Sequence, residues 1–154
     1  MKIIFLDIDG VLNFKGTEAL APSGRTGIID KKVSLLYDII KTTNAKVVLL
    51  QSWGKEWNRD SDKCTNDGKY LDRKMIRRGI HILDKIDTLT QSSINDWLKR
   101  NDHVTNAVVL FSQLDLPDIN IDKDSKTRLY ALPIDNDIGL SANDVTTVID
   151  LLGA

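Results

Sequence analysis

Asp7 and Asp9 are separated by one residue, followed at once by Gly10, and preceded by the apolar run from Ile3 to Leu6. With the period-two alternation of an extended chain, both carboxylates point the same way, and the glycine lets the backbone turn sharply behind them. Two carboxylates facing one pocket call for a cation between them. Magnesium accepts one or two carboxylates together with water and phosphate oxygens, so the pair fits a Mg2+ and phosphate site. In such a site one carboxylate attacks phosphorus to form an aspartyl phosphate. The other, when protonated, gives a proton to the leaving alkoxide and later activates water. Asp7 suits the first role and Asp9 the second.

Carboxylates work in this way at the carboxyl edge of a parallel sheet, where ligands of open α/β folds bind. Lys2 to Leu6 reads as a strand apolar on both faces, as in a sheet covered by helices. Residues 11–29 hold Gly16, Pro22, Gly24 and Gly27 with weak periodicity, which predicts an excursion of turns or a small hairpin beside the mouth of the site. Asp30 then reads as an N-cap, with Val33, Leu36, Tyr37 and Ile40 forming one helical stripe that ends near Asn44. Lys46 to Leu50 is a second strand, giving the right-handed strand–helix–strand unit. The polar stretch from Trp53 to Gly68 carries turn chemistry, and Tyr70 to Arg78 reads as a basic helix. Further strands are expected at Ile80 to Ile86, Ala107 to Phe111 and Thr127 to Leu132. A helix capped by Thr90 or Ser92 carries Ile94, Trp97 and Leu98, and a closing helix starts at the Ser141/Asp144 capping box. The alternation predicts a single α/β domain over residues 1–154, with a doubly wound parallel sheet.

Composition adds limits. The 154 residues carry 21 basic and 22 acidic side chains, so no field of one sign demands a nucleic acid or a membrane surface as an obligatory partner. A small anionic substrate is compatible with a local positive pocket. Cys64 is the only cysteine, which excludes an internal disulfide and fits a cytoplasmic setting. The apolar start is broken by Asp7 and Asp9, too short for the roughly 20 apolar residues of a membrane span.

The strand followed by Asp-Ile-Asp-Gly-Val-Leu-Asn resembles the first motif of the haloacid dehalogenase (HAD) superfamily. A wider, pattern-level similarity to the small HAD-like phosphatase domains found beside RNA-repair enzymes takes in Lys46 to Trp53, the region of Phe111 to Asp115, and Ile138 to Ser141 with the helix that follows. The resemblance implies that Asp7 is nucleophile and metal ligand, that Asp9 is the acid/base and a metal ligand through its backbone carbonyl, and that residues 11–29 form a flap. It implies a phosphorylated small molecule or a phosphorylated nucleic-acid end as substrate. Three later motifs depart from the family pattern. Where a Ser or Thr is expected after the second strand, the chain reads Leu50, Gln51, Ser52, leaving Gln51 and Ser52, with Gly10, as phosphate-binding candidates. Where a Lys or Arg is expected before the last site strand, it reads Thr90, Gln91, Ser92, Ser93, so Lys85 or a residue among Arg73 to Arg78 would have to supply the cation. Of the acids expected after that strand, Asp115 alone survives, as a metal ligand. Losing one oriented donor to developing charge typically costs about 2.7 to 4 kcal/mol, roughly 100- to 1000-fold in rate. Two functions therefore stand side by side: a Mg2+-dependent phosphohydrolase of reduced power, and a pseudophosphatase that binds a phosphorylated ligand or a protein without turnover.

Other readings are weaker. A calcium loop lacks its third ligand and closing Glu, and a receiver domain lacks an acceptor Asp at Leu50 to Ser52. Trp53 and Trp57 read as packing, His81 and His103 as surface or structural, Arg73, Lys74, Arg77 and Arg78 as a solvated helix face, and Cys64 as inert.

Overall fold

The computed structural model describes residues 1–115, 119 and 126–153. Five parallel strands make one sheet: β1 (Lys2–Leu6), β2 (Lys46–Leu50), β3 (Ile82–Ile86), β4 (Asn106–Ser112) and β5 (Arg128–Ile134), in the order β3-β2-β1-β4-β5. Each strand is too short to be stable alone; alternate side chains of β1, β2 and β4 enter two separate apolar layers. Ile4, Leu6, Val47, Leu49, Val108 and Leu110 pack on one face beneath α1 (Asp30–Thr43) and α5 (Ala142–Leu152). Ile3, Phe5, Val48, Leu50, Val109 and Phe111 pack on the other, where the helix Gln91–Arg100 presents Ile94, Trp97 and Leu98. Full burial of such a side chain is worth roughly 1.5–3 kcal/mol, and the edge-on contact of Phe5 with Trp97, at 5.5 Å between centroids, fixes how that helix sits. With helices on both faces, the sheet is the expected doubly wound α/β fold.

Strand order reverses between β1 and β4, because the chain runs outward through β2 and β3 before returning to the other side of β1. That switch opens a crevice at the carboxyl ends of β1 and β4. Asp7 and Ser112 are the residues delivered there.

The segment between β2 and β3 is more ordered than its polarity predicts. A short α2 (Gln51–Glu56) follows β2 directly, a 3-10 turn covers Ser61–Lys63, and α3 (Asn66–Arg77) begins four residues ahead of Tyr70, capped by the Thr65 side chain on the Gly68 N–H. Here Gly68 lets α3 lie against the Glu56 carbonyl, with no room for a Cβ. The helix Gln91–Arg100, α4 in chain order, starts at a Thr90/Ser93 capping box, and α5 at the Ser141/Asp144 box. Asp30 does not cap α1. Ile29 holds that position without a side-chain bond, and Asp30, in the first turn, pairs with Lys74 of α3 at 2.8 Å. Tertiary pairing has taken the carboxylate that local chemistry would assign to the helix end.

Candidate active site

The carboxyl end of β1 is held tightly. Asp7 donates its backbone N–H to Leu110 O at 2.9 Å, which continues the sheet pairing one residue past β1. Asp7 is 4% exposed; its Oδ1 accepts from the Ile8 N–H at 2.9 Å and its Oδ2 from Gln51 Nε2 at 2.8 Å. Burial, contact with the Asp115 carboxyl, and the Asp115 and Asp9 charges raise its pKa from 3.8 to about 8, against the smaller opposing pull of the Ile8 N–H. A carboxyl crowded by like charge in this way gains most from a cation.

Gly10 follows with φ of +82°, in the left-handed region, and a Cβ there would lie 2.8 Å from that of Ser112. Its N–H donates to Asn13 Oδ1 at 2.7 Å. Buried Asn13 also donates through Nδ2 to Asp9 Oδ1 and to the Gly27 carbonyl, both at 3.0 Å, tying the β1 turn to the base of the 11–29 excursion. The excursion is the expected small hairpin, with Leu20 and Thr26 bridged antiparallel. Its tip is anchored on α3: Ser23 donates to Asp67 twice, N–H to Oδ1 at 3.0 Å and Oγ to Oδ2 at 2.6 Å, and Tyr70 Oη accepts from the Ile28 N–H at 3.0 Å.

Asp9 is half exposed and surrounded by donors. Trp53 Nε1 reaches Oδ1 at 3.1 Å, and Arg25 Nη2 reaches Oδ2 at 3.0 Å. Trp53 is thus both core, at 1% exposure, and a guide for Asp9; Trp57, read as its packing partner, is buried and bonds Asp72 instead.

Two clefts meet at Asp9 and Asp115. One, of about 310 Å³, is lined by Asp7, Asp9, Asp115, Gln51, Ser52, Lys55 and Asp87. The other, of about 560 Å³, lies under the hairpin and takes in Asp9, Gly10, Asn13, Phe14, Lys15, Arg25, Asp115 and Asn136 among its walls. The tertiary structure therefore brings Asp7, Asp9, Asp115, Gln51 and Ser52 together, with Gly10 on the adjoining wall. It does not bring Lys85 in. That residue lies on β3, paired with Leu49 and packed near Gly54, on neither cleft wall. Arg73 and Arg77 on α3 and Arg78 just past its end are exposed and also line neither cleft. Sequence reasoning passed over Asn13, Arg25, Lys55 and Asp87. Asn13 was part of the quoted motif and carried a usable signal; the other three lie in segments with no motif at all.

Gln51 adopts φ of +59°, rare for a residue with a side chain and costing on the order of 1–2 kcal/mol. The turn drops its amide between Asp7 and Asp115, where Nε2 lies 2.8 and 3.5 Å from their Oδ2 atoms. It thereby occupies the strand-end position at which the family pattern has a hydroxyl.

Among the described residues no group of three or more His, Cys, Asp or Glu side chains is gathered as a metal cluster. Magnesium does not require one, since one or two carboxylates with water and phosphate oxygens suffice. The carboxylates of the crevice offer oxygen ligands, and Asp7 is buried there beside the Asp115 and Asp9 carboxyls, so the residues fit a hard cation. No helix among the described residues is long and apolar enough to cross a membrane.

No curated protein and no solved structure matches the chain. A family model described as the HAD domain in Swiss Army Knife RNA repair proteins matches residues 3–145, which spans all five strands and reaches into α5. The chain belongs to that family of haloacid dehalogenase domains.

Proposed function

We propose that this domain is a Mg2+-dependent phosphohydrolase that removes the phosphate from a phosphorylated nucleic-acid end, through an aspartyl phosphate on Asp7. The observation that carries the reading is the buried, charge-crowded Asp7 at the sheet switch, in a chain whose family is described by RNA repair. Asp7, Asp115 and the Asp9 backbone carbonyl would hold Mg2+, which when bound neutralises Asp7 and the phosphoryl oxygens together. An Asp7 oxygen attacks phosphorus as the bond to the leaving oxygen breaks, and Asp9, the acid/base of this reading, supplies a proton to the departing alkoxide. Water then attacks the acyl phosphate, Asp9 takes the water proton, and phosphate leaves with Asp7 regenerated. Gln51 and Ser52, on the wall facing Asp7, and the Gly10 turn are the phosphate-binding groups of this reading.

The test is phosphate release from phosphorylated oligonucleotide ends, nucleotides and an aryl phosphate, with and without Mg2+, for wild type beside Asp7→Asn and Asp9→Asn. Turnover that needs Mg2+, with a loss of 1000-fold or more in Asp7→Asn, is expected on the order of a missing nucleophile. Absence of turnover over the whole panel refutes the hydrolase and leaves the pseudophosphatase.

A further inference from the structure

We propose that Arg25, at the tip of the flap hairpin, is the cation that takes the phosphoryl oxygens in this site. The assignment rests on the phosphoryl-transfer reading above and answers the question that reading leaves open, since the helix ahead of β4 opens Thr90, Gln91, Ser92, Ser93, with its basic residues, Lys99 and Arg100, only in the last turn.

Three contacts place the guanidinium. Nη2 lies 3.0 Å from Asp9 Oδ2 and 3.2 Å from Ser52 Oγ, and Cζ stands 4.4 Å over the Trp53 ring. Asp9 belongs to both clefts and Ser52 to the cleft of Asp7, so Arg25 stands on the boundary between them, at the mouth of the nucleophile's pocket. Its side chain is 28% exposed against 50% for Asp9. An indole face below and a carboxylate beside it hold the planar fork in one orientation without using all five of its N–H donors.

The hairpin keeps this orientation because it is not a loose lid. Arg25 O accepts from the Ala21 N–H at 2.9 Å across the turn, Ser23 is bonded twice to buried Asp67, and Tyr70 holds Ile28. A phosphoryl group entering beside Ser52 offers the fork a doubly bonded anionic partner, the geometry arginine matches best. Lys55 is the rival, since it lines the Asp7 cleft directly. It is exposed, however, and among the described residues nothing holds its ammonium. Stabilisation of developing charge depends on donors already fixed in place, which favours Arg25.

The experiment compares wild type with Arg25→Ala, Arg25→Lys and Lys55→Ala on whichever phosphomonoester wild type hydrolyses, together with inhibition by inorganic phosphate and rescue by added guanidinium. Expected for Arg25→Ala are a loss of roughly 100- to 1000-fold in kcat/KM, weakened phosphate inhibition, partial recovery in Arg25→Lys, and partial recovery of Arg25→Ala with guanidinium. A residue that only props up the hairpin would show neither the guanidinium rescue nor the change in phosphate inhibition. Turnover in Arg25→Ala within about threefold of wild type, a loss with phosphate inhibition unchanged and no rescue, or a larger loss in Lys55→Ala overturns the assignment. Should wild type hydrolyse nothing, the hydrolase reading fails separately. Calorimetry with inorganic phosphate and Mg2+ then decides: binding weakened tenfold or more by Arg25→Ala upholds the assignment, and binding that is absent or equal in both proteins overturns it.

Discussion

Asp7→Asn in the metal-free protein should raise stability at alkaline pH, and the size of the effect follows from the site. The Asp7 carboxyl has its pKa raised from 3.8 to about 8. Between those values the folded chain keeps a proton that the unfolded chain has released. The contribution of Asp7 to stability is therefore fully present below about pH 4, is lost as pH rises through the window, and levels off above about pH 8. At about 1.4 kcal/mol per pH unit the whole window corresponds to roughly 6 kcal/mol. Relaxation and water at the mouth of the cleft reduce the realised part, and we expect about 1–3 kcal/mol at pH 8. Asparagine fits the same space: its oxygen can still accept from the Ile8 N–H, and a flip of the Gln51 amide presents a carbonyl to the new NH2 group. Urea unfolding in a chelator, from pH 5 to pH 8, measures the difference between the two proteins, so titration of the remaining acids cancels. The gap should widen with pH. Millimolar Mg2+ should then close it by stabilising wild type, by about 2.7 kcal/mol where the ion is at 100 times its Kd, and leave the variant nearly unchanged. A gap that is constant with pH, or a variant less stable at pH 8, would refute the argument that Asp7 is held protonated by burial and by Asp115.

Gln51→Gly removes both the left-handed backbone penalty and the donor to Asp7. It should leave thermal stability within about 1 kcal/mol of wild type or slightly higher, while phosphatase turnover falls at least tenfold; equal turnover would mean that the strained turn serves only the fold. Asp67→Ala deletes both Ser23 bonds at a 6% exposed position and should cost about 1–3 kcal/mol in urea unfolding. Limited proteolysis should then cut within residues 14–26 in the variant and spare wild type, and an uncut hairpin would show that the Tyr70 contact anchors it alone.

Much of the framework was readable because it is local. The Ile3 to Leu6 run, the KVVLL and AVVLF segments and the stripe of Val33, Leu36 and Ile40 each declare their element within a few residues, since burial against a sheet imposes a short period on the chain. The Asp7, Asp9, Gly10 cluster was readable for the same reason: strand end, alternation and turn lie side by side. Less was legible between β2 and β3, where α2 and α3 are specified by Thr65 capping and by Gly68 packing on Glu56, neither of which leaves a periodic apolar signal. Asp30 looked like a cap from its neighbours and proved to be the partner of Lys74, which lies 44 residues on.

The chemistry that the site can perform depends on contacts that no window of sequence contains. Sequence alone determined that two carboxylates would stand at the end of a buried strand. Tertiary structure decided that burial, and then the nearby Asp115, would raise the pKa of Asp7, that Gln51 would turn its amide into the gap, and that Arg25 on a hairpin would meet Ser52 and Trp53 from a distant helix. Lys85, plausible by position in the chain, was carried two strands away from Asp7 by the sheet order. The physical reason is range: propensity and periodicity act between neighbours, whereas charge, desolvation and hydrogen bonding act through space, on whatever residues the fold places within a few ångströms.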